Sequence, residues 1–193
     1  MRKISVLGAV FVVATASALA ACKPAPPFKE YAYPAWGFAA RFWAPPQATE
    51  TPAAPGQPHG LMLESKQAGR DFVVSVGEGV RPDVTIDVIA PVYARRAAKA
   101  MEVDVGPQTY AATGQGVLGR EYALMKNGKP YATIRAFLAN GRFYEVAAQS
   151  VLGPDDPAVK DFLDTFRITA ASPATPPPSA TKAPANTAPT SGA

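Results

Sequence analysis

An α+β domain on an antiparallel sheet is the fold class this sequence predicts, and three observations carry the prediction. Strand-period segments in the second half of the chain are joined by Asn-Gly dipeptides. A stretch with helical spacing follows the strands twice, over 83–101 and again after Pro157. Strands and helices also lack the regular alternation that a parallel βαβ sheet requires.

The elements can be justified in chain order. Trp36, Phe38, Ala40 and Phe42 alternate with Gly37, Ala39, Arg41 and Trp43, which is strand period with one aromatic face. Residues 47–58, rich in Pro, Ala and Thr, read as a loop. Segments 61–65 and 71–77 form a hairpin, with Phe72, Val74 and Val76 on one face and 66–70 as the turn. Over 83–101, Ile89, Tyr93, Ala97 and Met101 recur every four residues. Pro91 has no backbone N–H and disfavours a helical Ala90, which predicts an irregular turn over 83–89 and a helix proper from about Pro91. Arg95, Arg96 and Lys99 fall off that stripe as a solvated face with favourable C-terminal charge; the alternative use is a patch for an anionic partner.

Segments 117–126, 130–138 and 142–149 are strands joined at Asn127-Gly128 and Asn140-Gly141. Both dipeptides tolerate the positive φ of a two-residue type I′ turn, so the three strands form a C-terminal meander. Ile134, Ala136 and Leu138 alternate with Thr133, Arg135 and Phe137, and apolar groups on both faces imply layers on each side of the sheet. Asp155 or Asp156 caps the last helix and Pro157 fits its first turn. Val159, Phe162, Leu163 and Phe166 make its apolar stripe, and 167–169 adds a short edge strand.

Outside 28–169 the chain changes character. Arg2 and Lys3 precede an uncharged apolar run over 4–19, shorter than the ~20 residues that span a bilayer. It ends in Leu19-Ala20-Ala21-Cys22, and this resembles a bacterial lipoprotein signal. The resemblance implies cleavage after small residues and transfer of diacylglycerol to the Cys22 thiolate. The expected organisation is a signal peptide at 1–21, a lipidated tether at 22–27, the α+β domain at 28–169 and a disordered Ala/Pro/Thr-rich tail at 170–193. Acyl chains on Cys22 anchor the protein to a membrane. Lys23, in place of the Asp that retains similar lipoproteins at the inner membrane, implies the periplasmic face of the outer membrane in a Gram-negative host.

Composition and motifs exclude several function classes. Without residues 1–21 the chain carries 17 Lys and Arg against 15 acids, a charge of +2 with little pull toward nucleic acid. Cys22 is the only cysteine, so no intramolecular disulfide forms. His59 is the only histidine; it lies in the Pro-rich loop and reads as a surface residue, with no His/Cys cluster for zinc and no G-x-S-x-G. Gly114-Gln115-Gly116-Val117-Leu118-Gly119 matches G-x-G-x-x-G, but a strand follows it where a dinucleotide site needs a helix, so it reads as a turn or bulge. Glu121 and Glu145 lie on strands of the meander, where ion pairing with Arg120, Arg135 or Arg142 is the ordinary use and an acid pair for glycoside hydrolysis the alternative. Trp36, Trp43, Tyr110, Tyr122, Tyr131 and Tyr144 read as core and cross-strand packing, or as the lining of a groove.

The order of these motifs is similar to that of the PsbP-like superfamily. An aromatic opening, Tyr33-Pro34-Ala35-Trp36-Gly37-Phe38 with Phe42, precedes a Pro-containing loop. A hairpin through Gly128 is followed by Phe137-Leu138, then Gly141-Arg142-Phe143-Tyr144-Glu145-Val146, and the domain closes on Phe162-Leu163-Asp164-Thr165-Phe166. The resemblance implies an α/β/α sandwich over 28–169 acting as a non-catalytic binding or assembly module. The expectation is therefore a lipid-anchored interaction module of the cell envelope with a protein partner, without metal, cofactor or catalytic residues. The alternative is an envelope protein that binds a small apolar or lipid-like ligand between sheet and helix.

Overall fold

The structure, a computed structural model, describes residues 28–55 and 58–170. The expected signal peptide 1–21, the tether 22–27 with Cys22, the cleavage residues Leu19, Ala20 and Ala21, and the tail beyond residue 170 lie outside the described residues.

A seven-stranded antiparallel sheet has the order β3-β4-β5-β9-β8-β7-β6. Its strands are β3 (Gln47–Thr51), β4 (Gly60–Gln67), β5 (Arg70–Gly77), β6 (Asp104–Ala112), β7 (Leu118–Lys126), β8 (Lys129–Ala139) and β9 (Arg142–Ser150). A three-stranded sheet combines β1 (Lys29–Tyr33), β2 (Phe38–Phe42) and β10 (Arg167–Ile168). Helix α1 (Ile86–Ala100) covers one face of the large sheet, while α2 (Pro157–Thr165) and the small sheet cover the other. The predicted α+β class and the layers on both faces are present.

The turns follow the expected chemistry. Asn127 and Gly128 have φ of 52° and 72°, and Asn140 and Gly141 have 54° and 70°, as a type I′ hairpin demands. The third glycine of the G-x-G-x-x-G run, Gly119, lies in β7, where a Cβ would run into the Ala136 carbonyl and the Phe137 ring. Gly116, at φ 81°, turns the β6–β7 hairpin, so the motif is a turn feeding a tightly packed strand.

Five expectations change. Residues 47–51, read as loop, form the edge strand β3: its polar side chains are exposed, so hydrophobic pattern gave no signal, while its backbone pairs with β4. Helix α1 begins at Ile86 and runs through Pro91, which forfeits one hydrogen bond within a helix held down by packing. Its buried stripe is Ala90, Ala94 and Ala98, one position from the expected phase, because small side chains let the helix lie close to the sheet. Strands β1 and β6 are additions; β6 is an exposed edge with a bulge around Gly106 and Pro107. Residues 34–36 form a 3₁₀ turn instead of the start of the aromatic strand, and Gly37 closes it at φ 68°.

The second face holds the larger core. Phe38 and Phe42 of β2, Phe72 of β5, Tyr144 of β9 and Phe162 and Phe166 at α2 are fully buried together. Of the two possible caps, Asp156 serves α2: its Oδ1 accepts the Ala158 amide at 3.0 Å. The same carboxylate accepts from Arg70 Nε at 2.6 Å and Ser150 Oγ at 2.6 Å, tying α2 to β5 and β9. Burial pushes the Asp156 pKa up, but bonds from Arg70, Ser150 and the Ala158 amide outweigh it and hold the carboxyl below its ordinary range.

Replacing Asp156 with Ala strands the Arg70 guanidinium in a site where it is only 14% exposed, and is expected to cost about 3 kcal/mol in urea unfolding. Gly119→Ala is expected to cost a comparable ~2–3 kcal/mol through overpacking. A change below ~0.5 kcal/mol in either variant contradicts the packing described.

Candidate functional site

Strand register brings four charged side chains into a row at one end of the large sheet. His59 precedes β4, Glu78 follows β5, Arg142 opens β9 and Glu50 lies in β3. The Glu78 amide donates to the His59 carbonyl at 2.9 Å, extending the ladder one step beyond the assigned strands. His59 Nδ1 lies 3.0 Å from Glu78 Oε2 and its Nε2 lies 2.8 Å from Glu50 Oε1. Arg142 Nη2 donates to Glu78 Oε1 at 2.5 Å. The row therefore alternates in sign from Glu50 to Arg142, with each charge answered by its neighbour.

Trp36 lies beneath this row. Its ring centroid is 4.7 Å from that of His59, and the Arg142 guanidinium is 6.0 Å from the ring. The hydrogen bond to Glu78, reinforced by Glu50 against the opposing effect of burial, raises the His59 pKa. Burial pushes Glu78 up, but His59 and Arg142 outweigh it and hold its carboxyl low. The pairing stabilises the imidazolium relative to the neutral ring, since each ring nitrogen then donates to a carboxylate. The surface role expected for His59 is incomplete: its ring is half-buried and binds the edge strand β3 to the sheet. Sequence carried no signal for this, because the two acids lie 9 and 19 residues away.

Beside the row opens a cleft of about 720 Å³. Its floor is apolar, built from Val80, Val84, Ile89, Tyr93 and Phe143, with His59 and Glu78 at its rim. The Tyr93 and Phe143 rings meet at 4.2 Å, fixing α1 against β9. The segment before α1 is pinned by the Val80 amide, which donates to the Gly141 carbonyl at 3.0 Å. An apolar floor with few polar groups at its mouth is the usual make-up of a binding site.

Other residues singled out by sequence are dispersed. Glu121 and Glu145 lie on opposite faces, with β8 between their strands, so they form no acid pair. Glu121 accepts from Arg135 Nε at 2.6 Å, and Arg135 also reaches Asp164 of α2 at 2.7 Å. Glu145 lies between Phe143 and Ala147 on the α1 side, and among the described residues no hydrogen bond reaches its carboxyl. Burial raises its pKa to about 7 despite the opposing charge of Arg96. Arg95, Arg96 and Lys99 are exposed on α1. Arg120 pairs with Asp87 of α1 and stacks at 4.2 Å on Tyr110. Tyr110 is 79% exposed, whereas Trp36, Tyr122 and Tyr144 are core and Trp43 and Tyr131 are half-buried.

Glu145 and His59 both bind a proton more tightly folded than unfolded, so the stability they supply is complete at low pH and lost as pH rises. For Glu145 the loss spans 4.5 to about 7, and for His59 it lies above 6.5. Thermal scans are expected to show a falling Tm from pH 4.5 to 8. Glu145→Gln should remove the lower part, worth roughly 3 kcal/mol, and His59→Gln the upper part. A Tm that climbs across this span contradicts both assignments.

No family model and no curated protein matches the chain. Among solved structures, the fold is similar to the solution structure of cyanobacterial PsbP (CyanoP) from Synechocystis sp. PCC 6803, with a TM-score of 0.53. Sequence identity is 8%, and the match covers 74% of this chain and 93% of that one. The likeness is one of fold alone.

Proposed function

We propose that this protein is a lipid-anchored, non-catalytic interaction module of the bacterial cell envelope, and that the cleft beside the Glu50–His59–Glu78–Arg142 row is where its protein partner docks. The observation that carries the reading is the combination of an apolar floor with a rim whose charges are already paired. Groups engaged with one another hold fixed positions, and a fixed rim of alternating charge around an apolar floor can orient a partner. The PsbP-like fold supports a binding role by analogy of fold alone. The anchor reading rests on Leu19-Ala20-Ala21-Cys22 and the apolar run before it.

A second reading keeps the anchor and fills the same cleft with a small apolar or lipid-like molecule. The favouring observation is the volume of about 720 Å³, which lies within the roughly 300–1,000 Å³ range of small-ligand sites.

Two experiments separate these possibilities. Cys22→Ser is expected to move the protein from the membrane fraction to the soluble fraction, without acyl mass on its N-terminal peptide; unchanged fractionation contradicts the anchor. A photo-crosslinking residue at Val84, on the cleft wall, is expected to give one discrete protein adduct in cells, abolished by Ile89→Asp. Native mass spectrometry that finds a co-purified small molecule, with no adduct formed, favours the second reading.

A further inference from the structure

The two ends of the domain differ, and register sorts the turns between them. Pairing of Arg70 with Ser150 places the β4–β5 turn beside the turn that follows β9. Pairing of Ala132 with Gln149 brings the Asn127-Gly128 turn to the same end. Phe28 lies there too, its ring 6.0 Å from Phe72 and 5.5 Å from Trp43. At this end Val151 and Leu152 are 75% and 70% exposed, adjacent apolar side chains at the tip of a turn. Their amides are already satisfied: that of Val151 donates to Gly69 O at 2.9 Å and that of Leu152 to Ser150 Oγ at 3.1 Å. A turn that leaves no amide unpaired can enter a headgroup layer without the cost of stripping water from a free donor.

We propose that this end lies against the bilayer, with Val151 and Leu152 seated in its interfacial layer, and that the cleft faces away from the membrane. The proposal rests on the lipid anchor proposed above. Phe28 is six residues from Cys22, a reach of at most ~20 Å even when fully extended. The cleft rim at Glu78 lies six residues along β5 from Phe72, about 20 Å farther from the tether. The near end is thus within easy reach of the surface, and the cleft touches it only with the tether at full stretch. Charges around the tip are mixed, Lys66, Lys126 and Lys129 against Glu102, Asp104 and Asp155, so apolar contact rather than an anionic headgroup selects this end.

The test uses the full lipidated chain, whose Cys22 is blocked by its acyl groups. Gln67→Cys at the near end and Gln115→Cys in the β6–β7 turn at the far end each carry an environment-sensitive fluorophore. The protein is reconstituted into phosphatidylethanolamine–phosphatidylglycerol vesicles containing nitroxide lipid. The position-67 probe is expected to be quenched about three-fold more than the position-115 probe, as the shallow ~5–10 Å burial of an interfacial element implies. Val151→Ser with Leu152→Ser should shrink that difference. Equal quenching, or stronger quenching at position 115, in protein with confirmed acyl mass overturns the orientation and leaves the anchor standing. A difference untouched by the double substitution overturns the apolar contact. Protein without acyl mass that fails to float with vesicles overturns anchor and orientation together.

Discussion

The structure depends on one fully buried tyrosine. Tyr144, in the middle strand of the seven, packs at 6.3 Å on Phe38 of the small sheet and at 6.1 Å on Phe166 at the end of α2. Its hydroxyl donates to the Trp36 carbonyl at 3.1 Å. A buried phenol needs that partner, because an unmet hydroxyl in an apolar interior is costly. The bond joins the two sheets at the level where Trp36 turns into β2, and so sets the height of the indole. His59 and Arg142 rest on that indole, and the charged row inherits its position from it.

Charge arrangement follows from layering. The face beneath α1 meets the helix's alanines and holds a direct Asp87–Arg120 pair beside a half-buried glutamate that has no hydrogen bond among the described residues, while the face beneath α2 is aromatic and pairs Arg135 with two acids. A helix that approaches closely leaves little room for a second polar partner beside Glu145. Across the sheet, Arg135 reaches both Glu121 and Asp164 because α2 brings an acid over the strand. The two carboxylates that looked equivalent in sequence therefore differ in their partners for reasons of packing: Glu121 meets Arg135, and Glu145 has burial without a hydrogen bond among the described residues.

Elements with an internal period were legible in the sequence: the β7–β9 meander, its Asn-Gly turns and the stripe of α2 each repeat within ten or so residues. Elements defined by their neighbours were not. Strand β3 has polar, exposed side chains and exists because β4 offers backbone partners; β1 and β6 are edges of the same kind. Helix α1 tolerates Pro91 because the sheet holds its first turns, a tertiary effect that local rules place out of view. The candidate site was the least legible part. Its row is drawn from two strands and the ends of two more, and no spacing in the chain joins Glu50, His59, Glu78 and Arg142.

The bulge in β6 has a consequence for crowding. A seven-stranded open sheet ends in two free backbone rows, each a template for another copy. At β6, Pro107 removes one donor and the bulge twists the row away from a straight ladder. At the opposite border, β3 is five residues long and carries Glu50, with Pro52 just beyond it. Both borders thus resist zipping with a neighbour, and copies of this domain can accumulate side by side at high local density while remaining separate folded units.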